Sequence, residues 1–313
     1  MEKVIIIGGG PAGLTAGIYA GRAQLEPLLM AGSMLGGQCI LTHQLENYPG
    51  FPDPIAGQEL AGLMQRQAER FGTRILYEEA TGADLSSSPL KVQTHAHIYQ
   101  TQALIIATGV SSRKLGVVGE AEFTGRGVSY CAVCDGFFYR GKRVAVVGGG
   151  DAAVEEALFL TRFAQQVTII HRRDRLRATP VLQQRSLANE RIDFLWDSVV
   201  SEIVGQEAVT GVRVQNLKTG DVSLVPVQGV FVYVGSIANT GFLRGELDLD
   251  EQGYVVAHGQ GHTSRQGVFA AGDVRKGVLK QVATAVGSGA VAAMEAEKYI
   301  AELEGRAYPQ WRG

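Results

Sequence analysis

The chain has 313 residues, long enough for two domains of ordinary size, each with its own core. Hydrophobic residues make up 45% and charged residues 19%, which excludes an intrinsically disordered chain. A formal net charge of −2 gives no global attraction to nucleic acid, and no apolar run reaches the roughly 18 to 20 residues of a membrane span.

In chain order, the first expected element is a strand at residues 3–7; the start Met1-Glu2-Lys3 lacks the layout of a signal peptide, so the expectation is a cytoplasmic protein with no membrane or nucleic-acid partner. The strand runs into Gly8-Gly9-Gly10-Pro11-Ala12-Gly13 and a helix at 14–23. In this GxGxxG spacing Gly8 permits the tight turn, Gly10 lets a pyrophosphate approach the backbone, and Gly13 lets helix and strand pack closely. Pro11 suits the first helical turn, where its missing N–H would be unpaired anyway. The acid expected at the end of the next strand is absent; Leu29-Met30-Ala31-Gly32 stands there. A second strand, 103–107, runs into Thr108-Gly109.

The chain has three cysteines, Cys39, Cys131 and Cys134, and one CxxC, Cys131-Ala132-Val133-Cys134, followed by Asp135. Zinc needs four ligands, and Cys39 is remote with no histidine pair at finger spacing, so no metal site is expected. The spacing suits a redox pair, with Asp135 placed to carry a proton. Cys39 reads as a small buried residue.

Next, a strand at 143–147 enters Gly148-Gly149-Gly150-Asp151-Ala152-Ala153 and a helix at 152–163, with Ala153 as the permitted small residue of the fingerprint. The strand at 167–170 ends in His171-Arg172-Arg173, with Arg177 beyond. Arginines where an NAD site would carry an acid select a 2′-phosphate, hence NADPH over NADH. A strand at 267–271 then leads into Gly272-Asp273, and a long helix covers about 280–303. Two strand–glycine turn–helix units imply two dinucleotide-binding domains. The expected fold is α/β, two Rossmann-like domains with the second inserted into the first: 1–115 and 241–313 for one, 116–240 for the other. The crossings are expected at glycine-containing hinges near 115–119 and 237–241.

Together, Gly8 to Gly13, Gly36-Gly37-Gln38, Glu46-Asn47-Tyr48-Pro49-Gly50, Ala107-Thr108-Gly109, Cys131 to Phe138, Gly148 to Ala153, His171 to Arg177, Gly272-Asp273 and Lys280-Gln281 resemble the low-molecular-weight thioredoxin reductases over about residues 3–303. The resemblance implies a homodimer with FAD held by Gly8, Gly10, Pro11, Ala12, Gly13, Gly37, Gln38, Asn47, Thr108, Gly109, Gly272 and Asp273, with Gln281 and Val282 near the isoalloxazine. It implies NADPH on Gly148, Gly150, Asp151, Ala152, His171, Arg172, Arg173 and Arg177, and an inserted domain that swings. Electrons would pass to the Cys131–Cys134 disulfide and on to a thioredoxin-like protein. Cys134 matches the cysteine nearer the flavin, Cys131 the one that attacks the partner, and Asp135 the family's acid.

Three features depart from the family pattern. Ala152 replaces a common hydroxyl residue; Gly235-Ser236-Ile237-Ala238-Asn239-Thr240 lacks a common histidine and proline; and the chain runs on through Tyr308 and Trp311, aromatics suited to cap a flavin ring. These favour ferredoxin as an alternative donor with a vestigial NADPH site. A flavin-binding redox sensor without turnover is a second alternative.

Overall fold

Uninterrupted runs of β-branched and leucine side chains leave water only if both faces of their sheet are covered. The first such run is β1 (Glu2–Ile7), which turns into α1 (Pro11–Arg22) and returns as β2 (Leu28–Met30). There follow α2 (Gly57–Arg70), β3 (Arg74–Leu76), β4 (Gly82–Asp84), β5 (Leu90–Gln93), β6 (Ile98–Ile106) and β7 (Val110–Ser112). The middle of the chain carries α3 (Glu120–Phe123), β8 (Val128–Ser129), α4 (Ala132–Asp135), β9 (Arg143–Gly148), α5 (Asp151–Leu160), β10 (Gln166–Ile170), α6 (Pro180–Leu187), β11 (Ile192–Leu195), β12 (Ser198–Gly205), β13 (Val209–Asn216), β14 (Val222–Val225) and β15 (Gly229–Tyr233). Then come β16 (Ser236–Ala238), β17 (Val268–Ala270) and α7 (Val282–Leu303). The structure, a computed structural model, describes residues 1–42, 45 and 47–306, apart from the side chains of Leu41, Val133 and Cys134. Glu46, Tyr308 and Trp311 therefore lie outside the described residues, as does the Cys134 side chain.

The chain divides into two compact units: Met1–Ser111 with Ile237–Gly313, and Ser112–Ser236. In the first, the sheet order is β3-β2-β1-β6-β5-β4, with β17 also on β6. Pairing is parallel around β1, β2, β3, β6 and β17, and antiparallel at β5 and β4. The alternation of β1 serves two cores. Val4 and Ile6 face a cluster with Leu14, Ala16, Ala292 and Ala296 of α1 and α7; Ile5 and Ile7 face one with Leu104, Leu243, Val255 and Val268. Each buried Val, Leu or Ile among them contributes about 1.5–3 kcal/mol by leaving water.

In the second unit the parallel order is β11-β10-β9-β15-β8, beside an antiparallel sheet β12-β13-β14. Val144 and Val146 of β9 pack with Ala153, Val154 and Ala157 of α5, whereas Ala145 and Val147 pack with Val200, Ile203, Val212 and Val214. One face of this parallel sheet is thus covered by helix and the other by a second sheet.

The chain enters the second unit at Ser112, before the expected 115–119 stretch, and leaves it at Ser236, at the edge of the expected 237–241 stretch. Gly116 and Gly119 are not free hinges: Gly116 N–H donates to the Glu120 carboxylate at 2.7 Å, and a Cβ on Gly119 would stand 2.1 Å from the Ile203 carbonyl oxygen. Val118 also bridges Glu202. Tertiary packing against β12 therefore places this glycine-containing stretch inside the second unit. No helix among the described residues is long and apolar enough to cross a membrane.

Candidate active site

In the first unit the turn after β1 is forced by contacts that only glycine tolerates. Gly8 has φ +117°, and a Cβ there would sit 2.2 Å from the Ala107 carbonyl oxygen; one on Gly13 would sit 1.8 Å from that of Gly8. Gly10 caps α1 in extended conformation with no side-chain cap, and no acid stands in the first turn. The N–H groups of that turn and the helix dipole therefore stay available to an anion.

A second loop closes on this turn. Gly36 N–H donates to the Gly9 carbonyl at 2.8 Å, and a Cβ on Gly37 would lie 3.1 Å from Gly10 Cα. Exposed Gln38 follows in the 3₁₀ turn Gly37–Leu41. From the far end of the chain, a Cβ on Gly272 would meet Ala12 Cβ at 2.9 Å, and Gly272 N–H donates to Ser288 Oγ at 2.8 Å. Asp273, which follows, has its carboxyl pushed up by burial, with Lys280 pulling the other way. Gly272, Asp273, Arg275, Thr284, Ala285 and Ser288 help line a cavity of about 240 Å³. Asn47 Nδ2 donates to Gln281 Oε1 at 3.0 Å, and Val282 opens α7 directly after Gln281. Thr108 Oγ1 is buried with no hydrogen-bond partner, while the Thr108 carbonyl accepts from Asn239 Nδ2 at 3.0 Å. The glycine turn, the helix N-terminus with no side-chain cap and the orphaned Thr108 hydroxyl fit the diphosphate and ribityl parts of FAD.

Residues without a motif complete this arrangement. Asn239 also donates its N–H to the Gly109 carbonyl at 3.1 Å, Ser288 holds Gly272, and Gly289 leaves room for the Ala12 carbonyl, 2.1 Å from where its Cβ would be. The small residues Gly287, Ser288 and Gly289 in an apolar helix were the available signal.

In the second unit Gly148, Gly150, Asp151 and Ala152 form the turn into α5. Gly148 has φ +149°, and a Cβ on Gly150 would meet nothing within 4 Å. Asp151 Oδ1 accepts from Thr179 N–H at 2.6 Å, and Ala152 is exposed. Arg177 N–H donates to the Gly149 carbonyl at 2.6 Å, bringing the basic segment against the turn. The side chains of Arg172, Arg173 and Arg177 are exposed, and none is held by a carboxylate among the described residues. His171 differs: it is 4% exposed, its ring lies 2.4 Å from where a Gly149 Cβ would be, and Nε2 has no partner. Burial and then Arg177 hold its pKa below the ordinary value, so it is a neutral wedge under the turn. The free arginines and open turn fit the phosphates of NADPH.

The cysteine motif lies in this same unit. Cys131 is half-buried and disulfide-bonded, whereas Cys39 is a free buried thiol whose pKa is pushed up to about 11 by burial. Cys131 N–H donates to Ser129 Oγ at 3.0 Å, and Asp135 N–H to the Cys131 carbonyl at 3.1 Å. Ala132 N–H donates to Tyr233 Oη at 2.9 Å. Within electrostatic reach of Tyr233 is Glu156 of α5, whose carboxyl is pushed up to about 8 by burial and then by Glu155. Its Oε2 is buried without a partner.

Comparison with known proteins agrees with this geometry. Residues 2–289 match the pyridine nucleotide-disulphide oxidoreductase family. The chain is 47% identical over 303 residues to a thioredoxin reductase of Rickettsia felis, covering 95% of this chain and 98% of that one. The crystal structure of Lactococcus lactis thioredoxin reductase superposes with a TM-score of 0.94 at 44% identity, covering 96% of this chain and all of that one. A ferredoxin-flavin thioredoxin reductase of Clostridium acetobutylicum is 26% identical with a TM-score of 0.54, covering 97% and 99% of the two chains. The chain belongs to the pyridine nucleotide-disulphide oxidoreductase family, and within it to the thioredoxin reductases.

Proposed function

We propose that the chain reduces the disulfide of a thioredoxin-like protein, drawing electrons from NADPH through FAD and passing them on through Cys131 and Cys134. The observation that carries this reading is the pairing state of the cysteines: Cys131, in the unit that carries the second glycine turn, is in a disulfide, while Cys39 is a buried free thiol. Cys134 is the one remaining cysteine of the chain and is taken as the partner.

Bound FAD supplies a hydride acceptor for NADPH and a two-electron donor for a disulfide. The residues of Gly8 to Gly13, Gly37, Gln38, Asn47, Thr108, Gly109, Gly272, Asp273, Gln281 and Val282 hold it. The arginines Arg172, Arg173 and Arg177 hold the donor's 2′-phosphate. Once the cysteines are reduced, the Cys131 thiolate attacks one sulfur of the partner disulfide, forming a mixed disulfide and expelling the other sulfur as a thiolate. Cys134 then attacks the Cys131 sulfur, re-forming the internal disulfide and releasing the second partner thiolate. Asp135 carries a proton to and from these sulfurs. The enzyme acts as a homodimer in the cytoplasm.

The test is thioredoxin reduction by the FAD-loaded protein under nitrogen, with NADPH or with reduced ferredoxin. Turnover with NADPH alone supports the reading. Turnover with ferredoxin alone transfers it to the second donor, which the altered segment at residues 235–240 favours. Absence of turnover with either, together with a Cys134→Ser variant that alters only conformation, would leave a redox sensor instead.

A further inference from the structure

We propose that Glu120 and Tyr130 are a positioning pair for the redox cysteines, fastening the residue before Cys131 to the segment through which the chain enters the second unit. The proposal rests on the disulfide-reductase reading above.

Glu120 opens α3 and is 3% exposed. A buried carboxyl is costly unless its oxygens are hydrogen-bonded, and both are. Oε1 accepts from Leu115 N–H and from Tyr130 Oη, each at 2.7 Å, and Oε2 accepts from Gly116 N–H at 2.7 Å. No cation pairs with it among the described residues. Leu115 and Gly116 lie just inside the second unit, which begins at Ser112. Thr124 Oγ1, donating to the Glu120 carbonyl at 2.7 Å, fixes the short helix that presents the carboxylate. Tyr130, like Leu115 and Val117, packs against the buried cluster that contains Val128. Burial and Glu120 push its phenol up to about 12, so it remains a donor at neutral pH.

The peptide around Cys131 has three further holds. Ser129 belongs to β8, in register with Phe231; Ser129 Oγ exchanges hydrogen bonds with the Cys131 backbone; and Tyr233 Oη takes the N–H of Ala132. All three anchor the motif to its own sheet. Through the Glu120 carboxylate, the Glu120–Tyr130 bond ties the motif's arm to the N–H groups of residues 115 and 116. The disulfide is thereby fastened to the entering segment as well as to its own sheet. This matters because transfer from flavin to disulfide needs contact geometry, and a misplacement of about 1 Å can cost roughly 100-fold in rate.

The test uses full-length FAD protein carrying Tyr130→Phe, which removes one hydroxyl and keeps the packed ring. In anaerobic stopped flow, flavin bleaching by NADPH should keep its wild-type rate, whereas flavin re-oxidation by the internal disulfide should slow by roughly 10-fold or more. KM for thioredoxin and the melting temperature should stay near wild type, and alkylation of reduced Cys131 by iodoacetamide should become faster. Glu120→Gln, which keeps the phenol but exchanges an acceptor oxygen for a donor, should slow the same phase. Wild-type re-oxidation in Tyr130→Phe, or equal slowing of both phases with a lowered melting temperature, would overturn the positioning role. The reductase reading fails separately, through wild-type protein in which the disulfide never re-oxidises the flavin.

Discussion

The two glycine turns carry nearly the same letters in different surroundings. At the first, Gly13 cannot gain a methyl, because its Cβ would lie 1.8 Å from the Gly8 carbonyl oxygen. At the second, the same position is Ala153, which is buried and tolerated. α1 is buried on most of its surface, with Ala12, Gly13, Leu14, Thr15, Ala16, Gly17, Ile18 and Ala20 all inside; α5 buries Ala153, Val154, Ala157 and Leu160 on one side. The first turn is closed by Gly37 and by Gly272, whereas the second faces open space at Gly150 and is rimmed by free arginines. One fingerprint thus stands in two settings, with packing closed around the first turn and open space at the second.

The sharpest way to break that comparison is to add one methyl to each turn. Gly13→Ala should cost about 3 kcal/mol of stability through overpacking and release FAD, read by melting temperature and flavin absorbance. Next in size, Arg172→Ala combined with Arg173→Ala should raise the NADPH KM by roughly 10- to 100-fold, the worth of lost charge-assisted bonds, and leave kcat and the NADH KM nearly unchanged. Steady-state kinetics with both nucleotides checks this; equal effects on NADH would mean that the arginines do not read the 2′-phosphate.

The helices after the turns also differ in pH response. The Glu156 carboxyl has an ordinary value of 4.5 and is pushed to about 8 in the fold, so the folded chain holds the proton more tightly. Below pH 4.5 the group is neutral in both states and costs nothing. Stability is lost as pH rises from there toward 8, and the loss is complete above it. Glu156→Gln should remove this loss, gaining on the order of 1 kcal/mol or more at pH 9 and nothing at pH 4, as seen in urea unfolding at the two pH values. The smallest effect is expected at the open turn: Gly150→Ala should change stability by less than ~0.5 kcal/mol, since its φ of −93° is ordinary and its Cβ meets nothing.

The parts of the molecule visible in the sequence are those governed by local pattern. The apolar strands before residues 8 and 148 announce themselves by β-branched runs, and the helices behind them start at Pro11 and Asp151, within a few residues of expectation. The antiparallel layer β12-β13-β14 gave no such signal, because its partner face is defined by Ala145 and Val147 on a distant strand. The entry into the second unit, at Ser112, was hidden for the same reason: Gly116 and Gly119 look like hinge residues until Glu120 and Ile203 are placed beside them. At the site, the glycines, cysteines and arginines were legible as motifs. Asn239, Ser288, Glu156 and the Glu120–Tyr130 pair were not, since each acts through a contact made far along the chain or through a residue type that carries no motif. His171 was grouped with the arginines by its neighbours, and the structure sets it apart beneath Gly149.

The most direct test of the central claim is an anaerobic titration of the FAD-loaded protein with NADPH, comparing the wild type with Cys131→Ser. Complete flavin bleaching is expected after about two NADPH per subunit in the wild type, one for the flavin and one for the disulfide, and after about one in the variant. Bleaching after one NADPH in both proteins, or no bleaching at all, would contradict it.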